Sequence, residues 1–421
     1  MNNLLNVLEA SKVVGVSSDT IRRWDKKGLI KAQRSELNYR LFNIVELQKV
    51  QAKISGKHTG NNYKILRTNK KSKYSVIELF AGTGGTALGF ENAGLKHVLL
   101  TDWDKQATET LKRNKPQWHV TRDDITKMKF KGMKADIIEG GFPCQAFSFA
   151  GKKMGFEDIR GTMFFEFARC IKEVRPKIAM GENVKGLLKH DDGKTLQTIV
   201  KVLKDLGYNV AYKILRAQYL DVPQKRERLI ILAVRKDLKL PFLFPKEADY
   251  TISIKEALKN CPVSAGQTYP KRKKEILDLI PPGGYWRDLP VKLQKEYMQA
   301  SYYMGGGKTG MARRLSWDEP SLTLTCAPAQ KQTERCHPEE TRPLTVREYA
   351  RIQTFPDNWD FVGSTAAQYK QIGNAVPVNL GYHMGRCLIA MLDKKPDLRT
   401  MDLVDPDESS ASLVQTSLFK S

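Results

Sequence analysis

Val76-Ile77-Glu78-Leu79-Phe80-Ala81-Gly82-Thr83-Gly84-Gly85-Thr86-Ala87 is the stretch on which the fold is decided. Val76–Phe80 reads as a buried strand, and the glycines after it mark a tight turn into a helix. Glycine lets backbone approach a ligand closely, and the helix N-terminus favours electron-rich groups. About twenty residues on, Asp102 ends a second strand, where a carboxylate can accept hydrogen bonds from ribose hydroxyls. Trp103 follows and offers a flat face to a purine. Together these residues describe a site for an adenosine-containing cofactor. By itself the Gly-x-Gly-x-x-Ala string fits NAD equally well, or a tight turn with no ligand, so it does not choose one.

Outward from this turn, short apolar strands alternate with amphipathic stretches of helix length. Strands are expected at Val76–Phe80, His97–Asp102, Ala135–Gly140, Lys177–Glu182, Asn209–Leu215 and Leu229–Val234. Helices are expected near Thr86–Ala93, Lys105–Asn114, Met163–Val174 and Leu196–Leu206. Continuous apolar strands alternating with helices predict an α/β fold, a doubly wound, mostly parallel sheet covered on both faces. The expected catalytic domain spans 74–239. Residues 240–340, rich in Pro, Gly, Lys and Arg, break the rhythm and are expected to form a smaller inserted domain. Residues 341–394 return to the first domain, and 395–421 are expected to be a disordered tail. Upstream, 1–52 reads as a compact helical module. Residues 53–73 read as a basic linker, either tracking a phosphate backbone or merely solvated.

Lys plus Arg exceed Asp plus Glu by 70 − 46 = 24. So large an excess predicts attraction to a polyanion, and without an amphipathic anchor or lipidation motif nucleic acid is favoured over membrane. No run of apolar residues is long enough to span a bilayer, and Met1–Leu8 has no basic segment before an apolar run. A cytoplasmic, nucleoid-associated chain is expected. None of the six cysteines forms a Cys-x-x-Cys pair, so no metal site is expected. Five should be ordinary small core residues.

Cys144 is the exception. It follows the strand Ala135–Gly140 in Gly141-Phe142-Pro143-Cys144-Gln145-Ala146-Phe147-Ser148, at the strand end where a doubly wound fold binds its ligands. Glu182-Asn183-Val184 ends the next strand, and Gln224-Lys225-Arg226-Glu227-Arg228 opens a later one. Singly, these would be a structural cysteine, a capping or salt-bridged acid and a solvated turn. A thiol, a carboxyl and two arginines converging beside a nucleoside turn are harder to dismiss.

These segments, together with Arg342–Pro356 and Gly373-Asn374-Ala375-Val376-Pro377, resemble in content and order the motif set of DNA cytosine-5 methyltransferases. The resemblance runs from Tyr74 to Leu392, with a variable region between Val234 and Arg342. It implies a methyl transfer from S-adenosylmethionine to carbon 5 of a cytosine flipped out of double-stranded DNA. Cys144 would attack ring carbon 6. Glu182 would bind nitrogen 3 and the exocyclic amine, while Arg228, with Arg226 as a second candidate, would hold the carbonyl oxygen at position 2. Phe80, Gly82, Gly84, Asp102, Trp103, Asp124, Ile125, Met163 and Asn374 would surround the cofactor. Asp102 stands where Glu is commoner in the family, and Met163 where Leu is.

The resemblance further implies a mobile loop over Gln145–Arg160, with Lys152 and Arg160 toward DNA, and a target-recognition role for 240–340. There Arg313, Arg314 and Thr323 are candidate DNA contacts, with Lys308, Lys331 and Arg335 beside them. The N-terminal module resembles MerR-like helix-turn-helix proteins, with Arg22 and Arg23 on an exposed recognition helix and Arg34 to Phe42 as its wing. A cognate restriction endonuclease is the expected functional partner, and a monomer the expected state. Two rivals stand beside this reading: a transfer-RNA cytosine-5 methyltransferase, and a DNA-binding regulator with an inactive methyltransferase body.

Overall fold

A computed structural model describes residues 4–14, 16–26, 28–35, 38–55, 63–143 and 163–406. At the N-terminus, β1 (Leu4–Asn6), β2 (Gln33–Arg34) and β3 (Arg40–Asn43) form a small antiparallel sheet in the order β1-β3-β2. Helices Val7–Val14 and Ser18–Lys26 pack on it through a core of Ala10, Val14, Ile21, Trp24, Ile30, Phe42 and Leu47. Phe42, expected on the wing, is one of those core residues. A third helix, Ile44–Ser55, runs past the boundary that composition suggested.

The expected basic linker also departs from the structure at its other end. Tyr63 Oη donates to the Arg351 carbonyl, and the Asn379 side chain bonds both the Leu66 amide and the Lys64 carbonyl. Residues from 63 onward therefore lie against the main body. Their lysines gave them the composition of a linker, whereas the docking is done by the Tyr63 phenol, the Ile65 side chain and backbone groups.

The main body is a seven-stranded sheet in the order β6-β5-β4-β7-β8-β11-β9. Its strands are β4 (Ser75–Leu79), β5 (Lys96–Thr101), β6 (Val120–Thr121), β7 (Ile137–Gly140), β8 (Ile178–Val184), β9 (Tyr208–Arg216) and β11 (Glu227–Arg235). From β6 to β8 the pairing is parallel, as expected. β11 inserts antiparallel between β8 and β9, so that its first residues lie beside the last residues of β8. Arg228 thus faces Val184 in register at the carboxyl edge of the sheet.

Strand alternation splits the buried side chains between two layers. On one face, Val76, Ile137, Ile178, Met180, Ile230 and Leu232 pack with Phe90, Leu380, Met384 and Leu388 of helices Gly85–Ala93 and Val378–Asp393. On the other, Ile77, Ile138, Ala179 and Ile231 meet Phe164, Phe167, Ile171, Leu196 and Ile199 of helices Met163–Val174 and Lys194–Asp205.

Ser321–Leu322 (β13) of the inserted region pairs with Gln224–Lys225 (β10) of the catalytic segment before it. A separate apolar cluster gathers Tyr269, Leu277, Trp286, Tyr297, Met298 and Cys336. The ends of this region behave differently. Phe242–Pro245 (β12) packs into the main core and pairs with Met401–Val404 (β14). The expected tail is therefore structured through Val404, because Met401 is buried beside the Phe242-Leu243-Phe244 strand despite its polar neighbours.

Candidate active site

A cavity of about 930 Å³ opens at the carboxyl edge of the sheet, within the size range of small-molecule sites. One end is built by the turn after β4. Phe80 has φ 57°, a left-handed backbone that costs a non-glycine residue of order 1–3 kcal/mol and marks functional turns. Gly82, at φ 52°, presents open space where a Cβ would stand. Its amide donates to Asp102 Oδ2 at 2.7 Å, and the Asp104 amide donates to Oδ1 at 2.8 Å. Burial raises the Asp102 carboxyl above the usual range, against the pull of those two amides. Trp103, 68% exposed, lays its ring along the same wall.

Asp124, Ile125, Met163 and Asn374 line this cavity as well. The Asp124 carboxyl lies below its usual range because the Thr126 hydroxyl and amide both donate to it. Asn374 Oδ1 accepts from Cys326 Sγ at 2.9 Å. A glycine cradle, a carboxylate lining the cavity and an exposed indole suit an adenosine-containing cofactor. Gly84 is the exception among the residues named for it. A Cβ there would meet Leu111 Cδ2 at 2.5 Å, so this glycine serves packing inside the protein.

The other end of the cavity holds Gly141, Phe142, Pro143, Glu182, Asn183 and Arg228. Arg228 Nε lies 2.6 Å from Glu182 Oε1, and both side chains are 13% exposed. Glu182 Oε2 is the nearest atom a Cβ on Gly141 would meet, at 3.4 Å. Asn183 Nδ2 donates to the Phe142 carbonyl at 2.9 Å, tying the end of β8 to the loop that leads to Cys144. Cys144, Lys152 and Arg160 lie outside the described residues.

Two arginines do other work than expected. Arg226 is 1% exposed and donates to the carbonyls of Leu324, Gly373 and Ala375. Burial, reinforced by Arg228, pushes its pKa down to about 9. It clamps β10 to the last motif, leaving Arg228 as the arginine that meets Glu182. Arg314, 3% exposed, donates to the carbonyls of His337, Glu339 and Leu277 and to the Thr341 hydroxyl. With its guanidinium so engaged it is not a DNA contact. Arg335 is likewise turned inward onto the Thr323 carbonyl.

Arg313 is partly buried over the Tyr285 ring, and the Thr323 hydroxyl donates to the Lys225 carbonyl. Arg22 and Arg23 are exposed on helix Ser18–Lys26, Arg22 pairing with Asp19.

Sequence reasoning missed the buried amides. Gln371 Oε1 accepts from Thr83 and Thr110, joining the glycine turn to helix Thr365–Asn374. Gln353, fully buried, donates to the Ile372 and Ala375 carbonyls and accepts from Gln224. Gln371 sits among apolar neighbours of its helix, and Gln353 caps the end of helix Val346–Ile352. Cys170, Cys336 and Cys387 are core residues as expected, whereas Cys261 is half-buried and Cys326 exposed; desolvation raises the thiol pKa of all five, to about 11 for Cys261 and Cys336. None of these five is poised as a thiolate.

Residues 74–390 match the family model of the C-5 cytosine-specific DNA methylases, and residues 6–42 match that of the MerR family regulatory proteins. The chain is 55% identical over 412 residues to the Type II methyltransferase M.Eco47II of Escherichia coli, covering 93% of this chain and 98% of that protein. It is 45% identical over 399 residues to M.Sau96I of Staphylococcus aureus, covering 92% and 89% respectively. Among solved structures, a DNA modification methyltransferase encoded within an E. coli prophage superposes with a TM-score of 0.56 at 23% identity. That alignment covers 76% of this chain and all of the other, and its likeness speaks for the fold. By motif order, cavity and these matches alike, the chain belongs to the C-5 cytosine-specific DNA methylase family.

Proposed function

We propose that this chain methylates carbon 5 of cytosine within one specific double-stranded DNA sequence, as a DNA (cytosine-5-)-methyltransferase of a restriction-modification system. The observation that carries the reading is the Glu182–Arg228 pair, set in the same cavity as the Gly82–Asp102–Trp103 cradle. The cradle residues would hold S-adenosylmethionine, which supplies an electrophilic methyl group when bound. Asp102 would accept from the ribose and Trp103 would stack on the adenine.

Cytosine is a poor electrophile, so the residues at the other end must activate it. The Cys144 thiolate forms a bond to carbon 6 while ring electrons shift toward nitrogen 3. Glu182 supplies a proton to nitrogen 3, and Arg228 holds the carbonyl oxygen at position 2. Carbon 5 is then nucleophilic and takes the methyl group. Loss of its proton and departure of the sulfur restore the aromatic ring. A stacked base cannot offer its face to this chemistry, so the nucleotide must leave the duplex, at a cost of about a few kcal/mol.

Bisulfite sequencing of plasmid from cells expressing the protein should reveal 5-methylcytosine at one short motif and nowhere else. Methylation of transfer RNA with unmodified plasmid would instead support the RNA-directed rival. Protection of that plasmid from an endonuclease cutting the same motif would support the restriction-modification role.

For the N-terminal module a second activity is favoured by the exposed Arg22, Arg23 and Lys26 on helix Ser18–Lys26. Such a helix suits a DNA groove, and control of the gene's own promoter is the role we infer. Deletion of residues 1–52 should leave plasmid methylation intact and weaken binding to upstream DNA by about tenfold or more, the scale of a few lost phosphate and base contacts. Unchanged affinity for that DNA would refute it.

A further inference from the structure

Five adjacent strands, from β5 to β11, carry ionisable side chains on one face: His97 toward the amino end of β5, then Glu78, Glu139, Glu182 and Arg228 nearer the carboxyl edge. Strand alternation puts Glu78 on the face of Val76, Glu139 on that of Ile137, Glu182 on that of Met180 and Arg228 on that of Ile230. All four apolar residues belong to one buried cluster with Phe90, on which His97 stacks at 6.3 Å.

The two ends of the row are paired. His97 Nε2 lies 2.9 Å from Glu78 Oε2, and Arg228 Nε lies 2.6 Å from Glu182 Oε1. The middle is not. Glu139 is 2% exposed, lines the cavity, and makes no hydrogen bond or ion pair among the described residues. Its register partners are Glu78 on β4 and Met180 on β8, the latter two residues before Glu182. With a rise of ~3.3 Å per residue and ~4.8 Å between strands, the Glu139 and Glu182 Cα atoms lie about 8 Å apart. Two glutamate side chains on one face span that gap.

An isolated buried carboxylate is costly, and a neutral carboxyl is the form this site accepts. Burial first, then Glu78 and Glu182, hold the Glu139 carboxyl well above the usual range. On the two helices covering this face, Glu91 is engaged by Lys115 and Trp118, and His383 by Asp221. Neither helix brings a cation to pair with Glu139.

We propose that Glu139 is an internal proton reservoir for Glu182, a positioning residue that acts on cytosine only through that neighbour. The inference rests on the reaction proposed above. Facing the Arg228 guanidinium at 2.6 Å, the Glu182 carboxyl is set to accept, so the proton for nitrogen 3 must reach it from a neighbour. As the ring engages, the O–H bond of Glu139 breaks while one forms on Glu182. Glu182 passes that proton to nitrogen 3 as the Cys144 sulfur bonds carbon 6 and an electron pair moves onto nitrogen 3. On elimination the nitrogen 3 proton returns through Glu182 to Glu139. Each turnover restores the row, and no outside acid is consumed.

Glu139→Gln keeps the shape and neutrality of the side chain but cannot release a proton. In the full-length protein, kcat for methyl transfer should fall at least tenfold at pH 8, with KM for DNA and cofactor within twofold. The deficit should shrink as the pH falls toward 6, where protons from solvent can replace the missing donor. Glu139→Met, an apolar replacement of similar length, should show the same deficit and guards against misfolding of the first variant. Trapping on a duplex with 5-fluorocytosine should slow in step with kcat. A folded variant with wild-type kcat and an unaltered pH profile would overturn the reservoir role. If the wild-type protein forms no adduct on DNA it methylates, the proposed reaction itself fails, whatever Glu139 does.

Discussion

Cys144→Ala is expected to lower methyl transfer by about 10⁴-fold or more while leaving duplex affinity within about threefold. The size of the loss follows from the chemistry. Without a covalent bond at carbon 6, carbon 5 of cytosine has no electron pair to offer, and positioning alone cannot replace that step. The described cysteines offer no substitute. Burial raises the thiol pKa of all five, and the exposed one, Cys326, donates to Asn374. Gly141–Pro143 line the cavity wall, Gly141 beside the carboxyl of Glu182. Tritium transfer from labelled cofactor to duplex DNA measures the loss, and gel shift measures the affinity. Turnover within tenfold of wild type would remove Cys144 as the nucleophile. A loss of DNA binding equal to the loss of rate would reassign it to recognition.

Most of the parallel core was legible because β4, β5, β7 and β8 are short apolar runs alternating with amphipathic helices, whereas the two-residue β6 was not among the expected strands. The direction of β11 was not legible, since periodicity along a strand carries no information about its neighbour. That direction matters to the site, because only an antiparallel β11 brings Arg228 beside Glu182 at its first turn of register. The tail through Val404 was misread because the partner that buries Met401 lies far away in sequence, at Phe242–Pro245.

The site shows the same division between what a residue type announces and what its surroundings decide. Asp102, Trp103 and Glu182 were legible from their positions at strand ends, where side chains project beyond the sheet. Arg226 and Arg314 were misjudged because a guanidinium suggests an anion, and nothing local in the chain reveals that backbone carbonyls will take all its donors. Glu139 was overlooked because it sits inside an apolar strand, one residue from the glycines that drew the eye. Its character comes from Glu78 and Glu182 on neighbouring strands, a coincidence visible only once the register is known.

The glycines of the first turn divide in the same way, and Gly85→Ala should be the most destabilising single methyl addition in the protein's cofactor end. A Cβ at Gly85 would stand 1.9 Å from the Val376 carbonyl oxygen and 3.1 Å from its carbon. Both atoms are backbone, so no side chain can rotate away. Relief requires helix Gly85–Ala93 to part from the Ala375–Pro377 segment, which Arg226 and Gln353 hold through the Ala375 carbonyl. Overpacking in ordinary cores costs ~1–3 kcal/mol, and this contact belongs at or above the top of that range. Gly82→Ala provides the contrast. Its Cβ would meet nothing within 4 Å, so the cost to the free protein is the left-handed backbone at φ 52°, roughly 1–2 kcal/mol. The methyl would instead occupy the space that the cradle offers a ligand. Thermal unfolding and calorimetric titration with S-adenosylmethionine separate the two. Gly85→Ala should lower the melting temperature sharply, whereas Gly82→Ala should melt near wild type yet bind cofactor at least tenfold more weakly. Equal stability of the two variants would show that the close approach to Val376 is not what Gly85 is for, and equal cofactor affinity of Gly82→Ala and wild type would move the ligand off this turn.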